Sequence, residues 1–146
     1  MKKIVVLMVV MMVLLIGCSN EEVTNYEYTF TGEGTYWQAE YVYEGTETRE
    51  KEDGRTTYAN EDSDEMRLTY KGSLDEIESI EKLEFSYVTS VGSGGGVREF
   101  DAPPNDLTFT LSGGSTGAKV KKDEIIQVVV TWDDFEESFE LTNEKK

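Results

Sequence analysis

Reactive chemistry in this chain rests on one sulfur and 30 carboxylate side chains, because Cys18 is the sole cysteine and histidine is absent. Without imidazole, the usual proton carrier near neutral pH and the commonest metal ligand are both missing. Ser–His–Asp and Cys–His catalysis, and zinc sites built on thiolate or imidazole, are therefore excluded. A lone thiol closes no internal disulfide. What remains for Cys18 is a reaction of its own sulfur, and the residues before it, Leu15-Ile16-Gly17, indicate which one.

Met1-Lys2-Lys3 is a short positive start, and Ile4 to Ile16 carries no polar side chain. As a helix that apolar run would span about 20 Å at roughly 1.5 Å per residue, short of a bilayer core of about 30 Å. Charge followed by a short apolar run is instead the layout of a secretory signal peptide, here without the small A-x-A cleavage residues. Leu15-Ile16-Gly17-Cys18 resembles the lipobox of bacterial lipoproteins. The resemblance implies a diacylglycerol thioether on Cys18 and cleavage between Gly17 and Cys18. Two acyl chains anchor a protein stably where one does not.

The carboxylates offer less. Asn60-Glu61-Asp62-Ser63-Asp64-Glu65 and Asp133-Asp134 with Glu136-Glu137 cluster oxygens of the kind hard cations prefer. Asp62, Asp64 and Glu65 are the metal candidates, yet neither cluster has the spacing of a calcium loop. A solvated charge run is the favoured reading, and no metal or other cofactor is expected. Glycosidase-type chemistry needs two carboxylates about 5–10 Å apart, one with a raised pKa. No pair is marked by an apolar setting, so an enzyme is not expected. The tract Gly92–Gly96 has no Gly-Lys-Ser/Thr after it and reads as a hairpin loop rather than a phosphate cradle. Trp37 and Trp132 lie in phase with apolar strand faces and read as core. Tyr36 and Val42 fall on the opposite face and are the candidates for an exposed contact patch.

These side chains need a β scaffold. Removing Lys2 and Lys3 with the leader leaves 12 basic against 30 acidic residues, a formal charge of −18. Such a surface repels nucleic acid and anionic headgroups and favours solubility. Six Phe, eight Tyr and two Trp argue that the chain folds nonetheless. Period-two alternation predicts strands at Tyr26–Thr31, Thr35–Tyr43, Met66–Lys71, Leu83–Thr89, Leu107–Leu111, Ile125–Trp132 and Phe135–Leu141. Brief strands are added at Val97–Phe100 and Ala118–Lys121. Ile125–Trp132 reads as a central strand buried on both faces. Residues 44–65 read either as a long hairpin turning at Asp53-Gly54 or as a mobile loop. Ser73-Leu74-Asp75-Glu76 matches a capping box before one helical turn.

Seven to nine strands with frequent turns predict an all-β, antiparallel immunoglobulin-like sandwich, preceded by a signal-peptide helix, with a small barrel as the alternative. The expected organisation is a leader over 1–17, a lipidated tether over 18–25 and the β domain over 26–146. Taken whole, the chain is similar to small uncharacterised lipoproteins of Gram-positive bacteria. The similarity rests on the lipobox, Gly32-Glu33-Gly34-Thr35-Tyr36-Trp37, Tyr70-Lys71-Gly72, the glycine-rich hairpin loops and Thr131-Trp132. It implies an address on the outer face of the cell membrane and brings no activity. The expected role is a non-catalytic binding or assembly module with an envelope protein or cell-wall partner. The alternatives are a structural or stress-response component without a ligand, and a cation- or glycan-binding accessory.

Overall fold

The computed structural model describes residues 20–143; the leader, its predicted helix and Cys18 lie outside the described residues. Eight antiparallel strands form one sheet: β1 (Asn20–Glu33), β2 (Trp37–Glu52), β3 (Arg55–Tyr70), β4 (Lys82–Val88), β5 (Ser93–Glu99), β6 (Thr108–Thr116), β7 (Ile125–Trp132) and β8 (Phe135–Asn143). The sheet order is β5-β4-β7-β8-β1-β2-β3-β6. One 3₁₀ turn, Leu74–Glu76, follows Ser73, whose N–H donates to Glu76 Oε1 at 3.3 Å.

The strands form because apolar side chains recur every second residue and one face is buried. In β4 that face is Leu83, Phe85 and Tyr87; in β7 it is Ile126, Val128 and Val130. β7 is central, but its other face carries Ile125 and Val129 to solvent, which corrects the expectation of burial on both sides. Continuous β-branched character reflects strand propensity there, not double burial. Phe30, Trp37, Met66, Leu68 and Leu141 complete the interior, and Ile77 and Ile80 cover one end.

The all-β antiparallel class is as expected, but two separate sheets are not what the strands make. The halves β5-β4-β7-β8 and β1-β2-β3-β6 are continuous through β1 and β8, where Phe30 pairs with Asn143 and Thr31 with Thr142. At the opposite side the edge strands β5 and β6 approach each other. Arg98 Nη2 donates to the Thr110 carbonyl at 3.3 Å, and Leu111 lies over Gly96. The sheet is thus curled almost into a barrel, the right-handed twist of paired strands bringing the edges together.

Residues 44–65 are a hairpin, with Asp53 and Gly54 both at positive φ in its turn. β1 follows it outward, so Asn20–Asn25, expected within a tether, pair with Thr46–Lys51. Among the described residues these outer parts of β1, β2 and β3 have no fourth strand beside them and form a three-stranded ribbon. Two further expectations are corrected. Gly94–Gly96 lie within β5 and Gly113–Gly114 within β6, where backbone pairing outweighs the low strand preference of glycine. Ala118–Lys121 is not a strand; it folds back so that Val120 is buried.

Candidate functional site

Asn60, Asp62 and Asp64 continue the phase of Met66, Leu68 and Tyr70 along β3, so they point to the inside of the curl. Asp62 is 8% exposed and has no basic partner among the described residues. It is held by neutral donors instead. Its Oδ2 accepts from the Tyr43 hydroxyl at 2.8 Å, Asn60 Nδ2 at 3.0 Å and Ser115 Oγ at 3.2 Å. Its Oδ1 accepts from the Ser115 N–H at 2.9 Å. Hydrogen bonds of this number are what lets a carboxylate lie buried without a counter-ion. Tyr26 donates to Asn60 Oδ1 at 2.7 Å and extends the network onto β1.

Asp64 is less enclosed. Its Oδ2 accepts from the Tyr87 hydroxyl at 2.6 Å, while no donor reaches Oδ1 among the described residues. Tyr41 stands between the two tyrosines that serve the carboxylates, its ring 5.0 Å from Tyr87 and 6.4 Å from Tyr43. It is only 3% exposed, yet its own hydroxyl has no hydrogen-bond partner among the described residues. Burial, followed by the neighbouring carboxylates, raises the hydroxyl pKa of Tyr41 and of Tyr87 well above the ordinary tyrosine range. Tyr43 shifts the same way, from burial, from the neighbouring Tyr26 hydroxyl and from its bond to Asp62. All three are neutral phenols near neutral pH.

These groups line a cavity of about 330 Å³ that opens where β5 and β6 diverge. Ligand pockets run from roughly 300 to 1,000 Å³, so it suits a small molecule. Glycine lines it on both sides, Gly94 and Gly95 from β5 and Gly113 and Gly114 from β6. Side chains would fill it: a Cβ at Gly94 would lie 2.4 Å from the Tyr87 ring, and one at Gly113 would lie 3.0 Å from Asp64 Oδ1. A larger hollow of about 540 Å³ runs along the ribbon, but apart from Asp62 and the half-buried Tyr26 and Thr46 its charged and polar side chains are open to solvent, so it holds few fixed groups.

The other sequence candidates are dispersed. Glu65 faces outward from β3 and pairs with Arg67 Nη2 at 2.5 Å, so it does not join Asp62 and Asp64. Among the described residues no group of three or more acidic side chains could hold a metal ion. Tyr36 is half exposed, but Val42 lies six residues along β2 and does not join it. Tyr36 instead meets Trp132 at 5.6 Å, and Trp132 stacks on the exposed Phe135 at 5.7 Å. Trp37 is core as expected, whereas Trp132 is only half-buried. Glu137 braces this end by accepting from the backbone N–H groups of Thr35, Tyr36 and Trp37. Cys18 and Gly17 lie outside the described residues.

Sequence reasoning missed Tyr41, Tyr43 and Tyr87 as a set. The available signal was phase: a strand that carries Asn60, Asp62 and Asp64 on the same face as Leu68 must bury those carboxylates against something polar. No family model matches the chain, and no curated protein and no solved structure matches it.

Proposed function

We propose that this chain is a lipid-anchored lipoprotein on the outer face of a bacterial cell membrane, and that its curled sheet is a non-catalytic binding module. Leu15-Ile16-Gly17-Cys18, behind a positively charged apolar leader, carries the address. Support for binding comes from the cavity at the β5–β6 opening, where Tyr41 keeps an unpaired hydroxyl beside the half-used carboxylate of Asp64. The ribbon fits this reading. Asn20 sits at its outer tip opposite Lys51, two residues after Cys18, so a lipid on Cys18 would join the domain from the side of that tip.

A second reading is assembly through the far end of the sheet. It is favoured by the contiguous rings of Tyr36, Trp132 and Phe135, an exposed aromatic patch of the kind found at protein contacts. The anchor is tested by labelling cells with an alkyne fatty acid. The wild-type chain is expected to carry label in the membrane fraction, and Cys18→Ser to carry none. Equal labelling of both would remove the lipoprotein reading.

A further inference from the structure

We infer that the cavity between β5 and β6 binds a small primary alkylammonium ion. Among the described residues the cavity is lined by two carboxylates, Asp62 and Asp64, and by no lysine or arginine. Asp62 is occupied by Tyr43, Asn60 and Ser115, so it supplies charge but few free lone pairs. Of the polar side chains that face into it, Asp64 Oδ1 and the Tyr41 hydroxyl are the groups left without a hydrogen-bond partner among the described residues. Both accept from N–H, and a primary ammonium has three such donors on one charged centre. The walls beside them are the rings of Tyr41 and Tyr87, whose faces attract organic cations.

Other cargo fits less well. A hard divalent cation takes six or more oxygens, and the free oxygens here number too few once Asp62 is discounted. An anion would meet two carboxylates and no basic side chain. A neutral ligand would leave the charge of Asp64 uncompensated in a partly buried site. Lys119 does not fill the role itself, because its Nζ lies 4.1 Å from the centre of the Tyr26 ring and 3.5 Å from Glu47. Gly94 and Gly113 leave beside Tyr87 and Asp64 the room that a side chain would take.

This inference rests on the binding-module reading and is independent of the lipid anchor, which the labelling of Cys18 tests separately. The experiment is an isothermal titration of the full chain in detergent with n-butylammonium, 1-butanol and tetramethylammonium. Butylammonium is expected to bind at least tenfold more tightly than butanol, which lacks the charge, and than tetramethylammonium, which lacks N–H donors. Asp64→Asn is expected to weaken butylammonium tenfold or more, and Tyr41→Phe severalfold. Tyr41→Phe removes a hydroxyl with no partner, so its thermal melt should match the wild type and keeps the test independent of folding. Glu65→Gln, on the outer face, should bind as the wild type does. Equal binding of butanol and butylammonium, absence of butylammonium binding, or wild-type affinity in both Asp64→Asn and Tyr41→Phe would overturn the inference.

Discussion

The Tyr43 hydroxyl donates to Asp62 Oδ2 at 2.8 Å and accepts from the Val120 N–H at 3.3 Å, so one phenol joins β2, β3 and the loop after β6. Both residues of the pair are buried. Asp62→Ala would leave Tyr43, Asn60 and the Ser115 N–H without their acceptor. Each orphaned buried group costs about 1–3 kcal/mol, and a loss of about 3 kcal/mol or more is expected. Asp62→Asn keeps one acceptor oxygen and should cost less. Urea denaturation of the two variants measures the difference; equal stability of Asp62→Ala and wild type would show that the network contributes nothing.

Alkaline pH should unfold this protein through its tyrosines. Burial raises the pKa of Tyr41, Tyr43 and Tyr87 in the folded state, while in the unfolded chain a phenol titrates near about 10. Below that pH both states hold the proton and the full stability is present. Above it the unfolded state loses protons first, so stability falls by about 1.4 kcal/mol per pH unit for each such tyrosine. Absorbance at the phenolate band and circular dichroism should therefore change together between about pH 10 and 12. Free titration of all eight tyrosines at an ordinary pKa, with the fold intact, would contradict this.

Glu137 acts as a brace from β8 to the turn before β2. Its carboxylate accepts the Tyr36 N–H at 3.1 Å and the Trp37 N–H at 3.1 Å, and also the N–H of Thr35. Charged acceptors to backbone donors are the stronger hydrogen bonds. Glu137→Ala is expected to cost about 1–3 kcal/mol and to alter the emission of Trp37 and Trp132, which pack 5.7 Å apart beside it. Glu136→Ala, whose exposed side chain makes no hydrogen bond among the described residues, is the control and should leave both readings unchanged.

The β1–β8 junction depends on Gly32. A Cβ there would lie 2.0 Å from the Glu140 carbonyl oxygen, a backbone atom that cannot swing aside. Overpacking of this kind costs about 1–3 kcal/mol. Gly32→Ala is expected to lower the melting temperature by several degrees. Gly92→Ala meets nothing within 4 Å and should leave it unchanged. Identical melting curves for the two variants would show that the junction tolerates separation.

Local features were legible in the chain wherever a neighbour in sequence decides them. Alternation placed the strands from Met66 to Tyr70 and from Leu83 to Tyr87, because side chains of a strand point to opposite faces whatever its partner is. Asp53-Gly54 was one of two readings for its segment and is the turn, because that dipeptide tolerates the positive φ both residues adopt. The capping box at Ser73 predicted its single turn. Alternation does not say which strand lies beside which. The choice of one curled sheet over two was made by long-range pairing, above all β3 with β6 and β1 with β8. The same pairing drew the glycine tracts into β5 and β6 and set Tyr41 between Tyr43 and Tyr87. The sequence by itself determined the strand faces, since alternation is written in adjacent residues. The cavity exists only in the tertiary structure, because its walls come from β2, β3, β4, β5 and β6 and meet when the sheet curls.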